Sequence, residues 1–313
     1  MKRAFVFPGQ GSQAVGMGRS LAGAYPVARQ VFEEVDDALG FYLSRLIFEG
    51  PPEDLMLTAN AQPALMAVSL ATARTVEKEG RLRLADAAAF VAGHSLGEYS
   101  ALCAVGALSL ADTARLLRHR GEVMQAAVPL GEGAMLALLG VGLEAARRIA
   151  DQASQGEICT PANDNGPNQV VLSGHKAAIE RAQKIVAEEA AGRSSLLPVS
   201  APFHCRLMEP AAEAMAQVLE KITIAPPALP LIANMTASAV GEPAIIRRLL
   251  VEQVTGMVRW RESMFYLRDH EVESVAELGA GKVLSGLLRR IDRGLEAITV
   301  GSPAEVETFL KSL

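Results

Sequence analysis

The stretch Ala89-Phe90-Val91-Ala92-Gly93-His94-Ser95-Leu96-Gly97-Glu98 decides the fold class. The apolar run from Ala87 to Val91 predicts a buried strand. Gly93 to Gly97 then fits G-x-S-x-G, and Tyr99-Ser100-Ala101-Leu102-Cys103-Ala104 opens a helix. Strand, tight turn, serine and helix in that order make a nucleophile elbow. The serine must occupy a strained turn, and the flanking glycines let neighbouring backbone pass close by. The helix that follows aims its free amides and the positive end of its dipole at the serine, which suits a developing oxyanion. In a chain with 27 glycines the five-residue pattern also arises by chance, so its weight rests on the strand before it and the helix after it.

Composition narrows the function. With 313 residues, half of them apolar, the chain can bury a large core and still carry a smaller inserted unit. A net charge of −5 argues against a nucleic-acid partner, and an aromatic content of 4% argues against a base-stacking surface. Cys103, Cys159 and Cys205 have no metal-ligand spacing and read as reduced thiols of a cytoplasmic protein with no metal site. The apolar part of Met1-Lys2-Arg3-Ala4-Phe5-Val6-Phe7-Pro8 is too short for a signal peptide, and no apolar run is long enough to cross a bilayer. A soluble, cytoplasmic monomer away from membranes is expected.

Outward from the elbow, the pattern is α/β. Ala4 to Phe7 predicts a first buried strand, broken at Pro8-Gly9-Gln10-Gly11-Ser12-Gln13. That loop has neither the lysine of a P-loop nor the G-x-G-x-x-G spacing. It reads either as a simple turn or as a backbone-amide donor at the C-terminal end of a strand, where ligands sit in α/β sheets. Helices are predicted over Ala28 to Leu39, Ala59 to Lys78 and Ser109 to Val128, the last with Ser109 as N-cap. From Gly133 to Ser200 the order is strand (134–139), helix (143–153), strands (157–162 and 169–172) around the turn residues 163–168, helix (176–190) and strand (195–199). This is the βαββαβ order of a ferredoxin-like unit. Alternating helices and strands resume beyond it, so it reads as an insertion. The division expected is residues 1–130 with 201–313 as one subdomain and 131–200 as the other.

A serine nucleophile needs a base, and five histidines are available. His94 adjoins Ser95 and is expected to brace the turn. His119 and His175 read as surface residues, and His270 suits the negative end of a helix. His204 differs from these. It stands in Pro198-Val199-Ser200-Ala201-Pro202-Phe203-His204-Cys205, a proline-fixed loop directly after the last strand of the inserted unit. No acid stands out to complete a triad. Asp164 is one candidate, and a Ser–His dyad oriented by a backbone carbonyl or an amide side chain is the alternative. In Arg115-Leu116-Leu117-Arg118-His119-Arg120, Arg115 and Arg118 share a helix side while Arg120 falls on the other. Arg120 therefore either snorkels from the buried side or reaches a cavity as an anion anchor.

Five motifs in order now resemble one family. Phe7 to Gln13, Gly93 to Tyr99, Arg120-Gly121, Pro198 to His204 and Gly279-Ala280-Gly281-Lys282-Val283-Leu284 are together similar to the malonyl-CoA:acyl carrier protein transacylases. These are stand-alone acyltransferases of bacterial fatty-acid synthesis, with counterparts embedded in polyketide synthases. The resemblance runs from residue 4 to about 300. It implies an α/β-hydrolase-like subdomain with a parallel sheet and the ferredoxin-like insertion. It implies ping-pong transfer of malonyl from malonyl-CoA to the phosphopantetheine thiol of acyl carrier protein, with no further cofactor. It gives Ser95 as the acylated nucleophile and His204 as its base, with the backbone amides of Gln10 and Leu96 as the oxyanion hole. Arg120 would hold the free carboxylate, and the carbonyl of Gln253 would orient the histidine. Two positions depart from the family pattern: Met257 stands where proline is usual, and Phe203 where many stand-alone members have serine. In polyketide acyltransferases a phenylalanine there goes with malonyl over methylmalonyl. Service to a polyketide synthase or a malonate decarboxylase is the nearest alternative, then a thioesterase or esterase on the same elbow. A carrier-binding scaffold with a dead site is the non-enzymatic alternative, against which the intact Ser95 and His204 stand.

Overall fold

In the computed structural model, described over residues 2–189, 191–199 and 201–313, two sheets carry the chain. The first has six strands: β1 (Arg3–Phe7), β2 (Phe90–Gly93), β7 (Leu231–Ala233), β8 (Ser238–Val240), β9 (Ser274–Leu278) and β10 (Glu296–Val300). Their order is β10-β9-β1-β2-β7-β8, parallel throughout except for the antiparallel hairpin partner β8. The second sheet has four antiparallel strands: β3 (Gly133–Leu139), β4 (Cys159–Gly166), β5 (Gln169–His175) and β6 (Arg193–Leu196), in the order β4-β5-β3-β6. With helices Leu143–Ser154 and Lys176–Glu188 on it, this is the expected βαββαβ unit.

Helices cover both faces of the parallel sheet, which explains why its central strands read as continuous apolar runs. Phe5 and Phe7 point into the larger core, against the helices Pro26–Leu39, Thr58–Gly80 and Leu110–Ala126. Ala4 and Val6, alternating with them, face Trp260, Met264, Leu284 and Leu288 on the other side. The four-stranded sheet has a core of its own, built on Leu136, Leu138, Ile149, Leu172 and Ile179.

Several boundaries differ from expectation. The strand expected over Ala87 to Val91 begins only at Phe90. Leu84–Ala87 forms a helical turn pinned by the Arg83 guanidinium on Asp86 (2.7 and 2.9 Å), and alanine has no β-branch to hold it extended. The turn expected at 163–168 shrinks to two residues. Asn163, Asp164 and Asn165 stay in β4 because its register shifts absorb them and Asp164 N donates to Val258 O at 2.9 Å. The last strand of the unit ends at Leu196, since Pro198 has no N–H to continue the ladder. The helix expected to reach Ala190 ends at Glu188, and Met1, Ala190 and Ser200 lie outside the described residues. Strands β8 and β10 were not anticipated. His119 and His175 are half-buried rather than surface residues, and His175 Nδ1 accepts from Ile158 N at 2.9 Å.

Candidate active site

The β2 strand hands the chain to Ser95 at the C-terminal edge of the parallel sheet. Ser95 takes φ 53°, the left-handed conformation of a tight elbow, before helix Gly97–Ala104 begins. The close approach needs glycine at both flanks. A Cβ on Gly93 would lie 1.9 Å from the carbonyl carbon of Gly97, and one on Gly97 would lie 2.3 Å from Phe7 O. Asn234, just past β7, clamps the turn: its Oδ1 accepts from Ser95 N at 2.9 Å and its Nδ2 donates to Gly93 O at 2.8 Å.

His204 sits across from the serine, its Nε2 2.8 Å from Ser95 Oγ. Its Nδ1 faces two carbonyls, Gln253 O at 2.8 Å and Gly256 O at 3.2 Å. Carbonyls only accept, so Nδ1 carries the proton and Nε2 is the acceptor for the serine hydroxyl. Burial, then the nearby Arg120 charge, pull the His204 pKa down to about 3, so the ring is neutral in the resting site. Asp164 takes no part in this. Its carboxylate is held by Arg261 at 2.8 to 3.1 Å.

Arg120 is 1% exposed. Its Nη1 donates to Gln62 Oε1 at 2.8 Å, and its Nη2 to Gln253 Oε1 at 2.9 Å and Ser95 Oγ at 3.1 Å. Its Nε has no acceptor among the described residues. Burial lowers its pKa, opposed by Tyr99 and Glu98, but a guanidinium stays charged. Helix packing puts it there. Gly121 lets helix Leu110–Ala126 close onto Ala59, where a Cβ would come within 2.5 Å of Ala59 Cα. Pro63, inside the partner helix, has no N–H for the Ala59 carbonyl, and Arg118 Nη1 donates to that carbonyl at 3.4 Å instead.

These residues meet at a cavity of about 210 Å³, walled by Gln10, Leu96, Arg120, Met124, Phe203 and His204 among others. The four-stranded sheet and the loop after it supply the opposite wall through Met135, Asn163 and Leu197 to Val199. Gln253 lies behind the cavity, reached only through its partners. The main-chain amides of Gln10 and Leu96 donate to no backbone acceptor among the described residues, while the Gln10 side-chain amide donates to Thr58 Oγ1 at 3.4 Å. His94 also lines the cavity, with its Nε2 2.8 Å from Asn165 Oδ1 and its ring tilted against Trp260. No cluster of His, Cys, Asp and Glu able to hold a metal occurs among the described residues. Sequence reasoning did not find Gln62, Asn234 or Glu98. Their signal is weak: each is a polar residue at a buried position of an otherwise apolar or elbow segment.

A nucleophile paired with a base beside a buried guanidinium is a site for acyl groups that carry a negative charge. The family model of the acyl transferase domain matches residues 4–306. The chain belongs to the acyl transferase family. This acyl transferase is 44% identical over 313 residues to the malonyl CoA-acyl carrier protein transacylase of Bacillus subtilis strain 168, covering all of this chain and 97% of the relative. It superposes on the acyl-carrier-protein S-malonyltransferase of Bartonella henselae with a TM-score of 0.97 at 52% identity, over 100% of this chain and 99% of the other. A malonyl-transacylase solved in complex with its type II polyketide acyl carrier protein matches with a TM-score of 0.96 at 41% identity, over the full length of both chains.

Proposed function

We infer that the protein transfers malonyl from coenzyme A to the phosphopantetheine thiol of acyl carrier protein, supplying malonyl-acyl carrier protein for fatty-acid synthesis. The observation that carries this reading is the buried Arg120 guanidinium, 3.1 Å from Ser95 Oγ inside the cavity. An esterase pocket for a neutral acyl chain has no use for a cation whose burial is this costly. A malonyl group, with its thioester carbonyl at Ser95, can reach Arg120 with its free carboxylate, which then accepts the guanidinium N–H groups in a planar fork.

The chemistry runs in two halves. Ser95 Oγ attacks the thioester carbon as His204 Nε2 takes the hydroxyl proton, and the Nδ1–H bond to Gln253 O steadies the imidazolium. The amides of Leu96 and Gln10 receive the oxyanion. The C–S bond breaks, and the coenzyme A thiolate leaves with the proton from Nε2. The carrier thiol then repeats the sequence in reverse on the malonyl-serine ester, giving its proton to Nε2 and returning it to Ser95. A relative solved with its carrier supports the acceptor. Phe203 at the cavity wall suits malonyl over its α-methyl homologue. We also propose the division 1–130 with 201–313 against 131–200, because the smaller part has its own core. Free thiols at all three cysteines suit a cytoplasmic enzyme, and no helix among the described residues is long and apolar enough to cross a membrane.

The test is the ratio of kcat/KM for malonyl-CoA over acetyl-CoA. Arg120→Ala should cut this ratio by well over tenfold, the scale of losing a buried charge-assisted pair at about 2–5 kcal/mol. Arg120→Lys should restore part of it, since an ammonium lacks the planar fork. Equal losses on both donors would sink the reading.

A further inference from the structure

Glu98 opens the elbow helix and is 1% exposed, yet it is absent from the cavity wall. A glutamate in a first helical turn is usually a cap or a dipole partner. Here the partners of the side chain lie outside its own helix. Both oxygens reach outward: Oε1 accepts from Asn234 N at 2.6 Å, and Oε2 accepts from Gln253 Nε2 in a short contact. Burial pushes the carboxyl up to about 8, against the pull of the Asn234 and Gln253 donors and the Arg120 charge.

We propose that Glu98 is the positioning residue of the carboxylate anchor, fixing the Gln253 amide so that its oxygen faces Arg120. The Gln253 amide has two ends and a choice of direction. In the observed one, Nε2 faces acceptors only: Glu98 Oε2, Ser95 O at 3.0 Å and Asn234 Oδ1 at 3.3 Å. Oε1 then accepts from Arg120 Nη2 at 2.9 Å. With the carboxyl ionised, as it is above about pH 8, reversing the amide would turn its oxygen onto a carboxylate and its NH₂ onto the guanidinium, a repulsion at both ends. With the carboxyl protonated, only the guanidinium end repels. Once ionised, Glu98 supplies the strongest of the three acceptors and so decides the direction. Through Asn234 it also steadies the clamp on Gly93 and Ser95. The main-chain carbonyl of Gln253, which orients His204, does not depend on the amide direction. Glu98 thus acts on the anchor more than on the base.

The prediction follows from hydrogen-bond polarity. In Glu98→Gln the side-chain oxygen can satisfy Asn234 N only by presenting its NH₂ to the Gln253 NH₂. Two donors then face each other, and Gln253 turns, opposing Arg120. The experiment measures kcat and KM for malonyl-CoA and acetyl-CoA above about pH 8, where the parent carboxyl is ionised, in the parent, Glu98→Gln, Glu98→Asp, Arg120→Ala and the double variant, with thermal unfolding of each. Glu98→Gln should lower the malonyl-over-acetyl ratio by roughly fivefold or more, mainly through KM for malonyl-CoA. Glu98→Asp, which keeps the charge one methylene further away, should fall between it and the parent. If Glu98→Gln does not fold, Glu98→Asp is read alone, and an unchanged ratio there overturns the proposal. In the Arg120→Ala background, adding Glu98→Gln should change the ratio by less than about twofold, because the two act through one bond. A general structural role would lower both donors together and leave the ratio fixed, or multiply the two losses in the double variant. Either result overturns the proposal. The inference rests on Arg120 as the anchor. If Arg120→Ala itself leaves the ratio unchanged, the anchor reading fails and carries this one with it; if it shifts the ratio and neither Glu98 variant does, only this one fails.

Discussion

His204 works with carbonyls behind it instead of a carboxylate, and that has a pH signature. An ordinary histidine titrates near 6.5, whereas burial and Arg120 hold this one at about 3. The neutral base therefore persists into mild acid. The rate of malonyl-serine formation, followed by rapid quench and intact mass, should stay level from neutrality to below pH 6 instead of halving near 6.5. His204→Ala should slow that step about 10²–10⁴-fold, and Ser95→Ala should give no adduct at all. Stability carries the same sign. Between the unfolded value of 6.5 and the folded value of about 3, the unfolded chain binds the extra proton. The contribution is present above 6.5 and lost as pH falls, so His204→Gln should flatten the acid side of a urea-denaturation series. A parent and variant of equal acid sensitivity would contradict this. Ser95 was legible because G-x-S-x-G lay between a strand and a helix, and His204 because a proline-fixed loop presented it. The group that orients the histidine was not legible from the residues alone. A main-chain carbonyl has no letter in the sequence, and only the family resemblance pointed to Gln253.

Helix packing is what turns Arg120 from a surface-type residue into a buried one. Helix Leu110–Ala126 shows no room for a side chain at Gly121, where it meets the backbone of Thr58 and Ala59. Gly121→Ala should force the helices apart by part of a methyl diameter, at about 1–3 kcal/mol of stability. It should also separate Arg120 from Gln62, which sit on the two facing helices and are joined at 2.8 Å. The expected outcome is a lower unfolding midpoint with a malonyl-over-acetyl ratio reduced several-fold. A lower midpoint with an unchanged ratio would mean the helix shifts without moving the guanidinium. Elements with long or continuous apolar runs were readable along the chain, as with Thr58–Gly80 and β1. The boundaries that failed are those where tertiary partners overrule local preference. Asn163 to Asn165 carry turn-type side chains, yet β5 and Val258 keep them extended. The edge strands β8 and β10 are mostly half-buried, without the fully buried apolar run of the central strands, and the sheet beside them completes their hydrogen bonds.

Across the whole molecule, the cavity lies between the two sheets, which are joined by a few polar contacts and by Met135, Ala162 and Val171 packing into the larger core. Main-chain pairing joins β4 to Val258, His94 meets Asn165, and Arg261 grips Asp164. The last of these is the most consequential, since Asp164 is fully buried and Arg261 only partly so. Removing the guanidinium leaves a buried carboxylate with no cation. Breaking a buried pair this way costs about 3–5 kcal/mol, and the partial exposure of Arg261 puts the expected loss at the lower end. Arg261→Met should therefore reduce the urea midpoint without changing the slope of the transition. Adding Asp164→Asn should recover part of the loss, because the uncompensated charge disappears with it. The site itself should loosen in a way that tells this contact apart from the anchor. Met135 and Leu197 reach the cavity from the second sheet and touch any acyl group alike. KM should thus rise for malonyl-CoA and acetyl-CoA together, leaving their ratio where it was. A ratio that moved with Arg261 would mean that the second sheet helps select the carboxylate. An unchanged urea midpoint would mean that the main-chain pairing at Val258, the His94–Asn165 contact and apolar packing hold the two sheets without this ion pair.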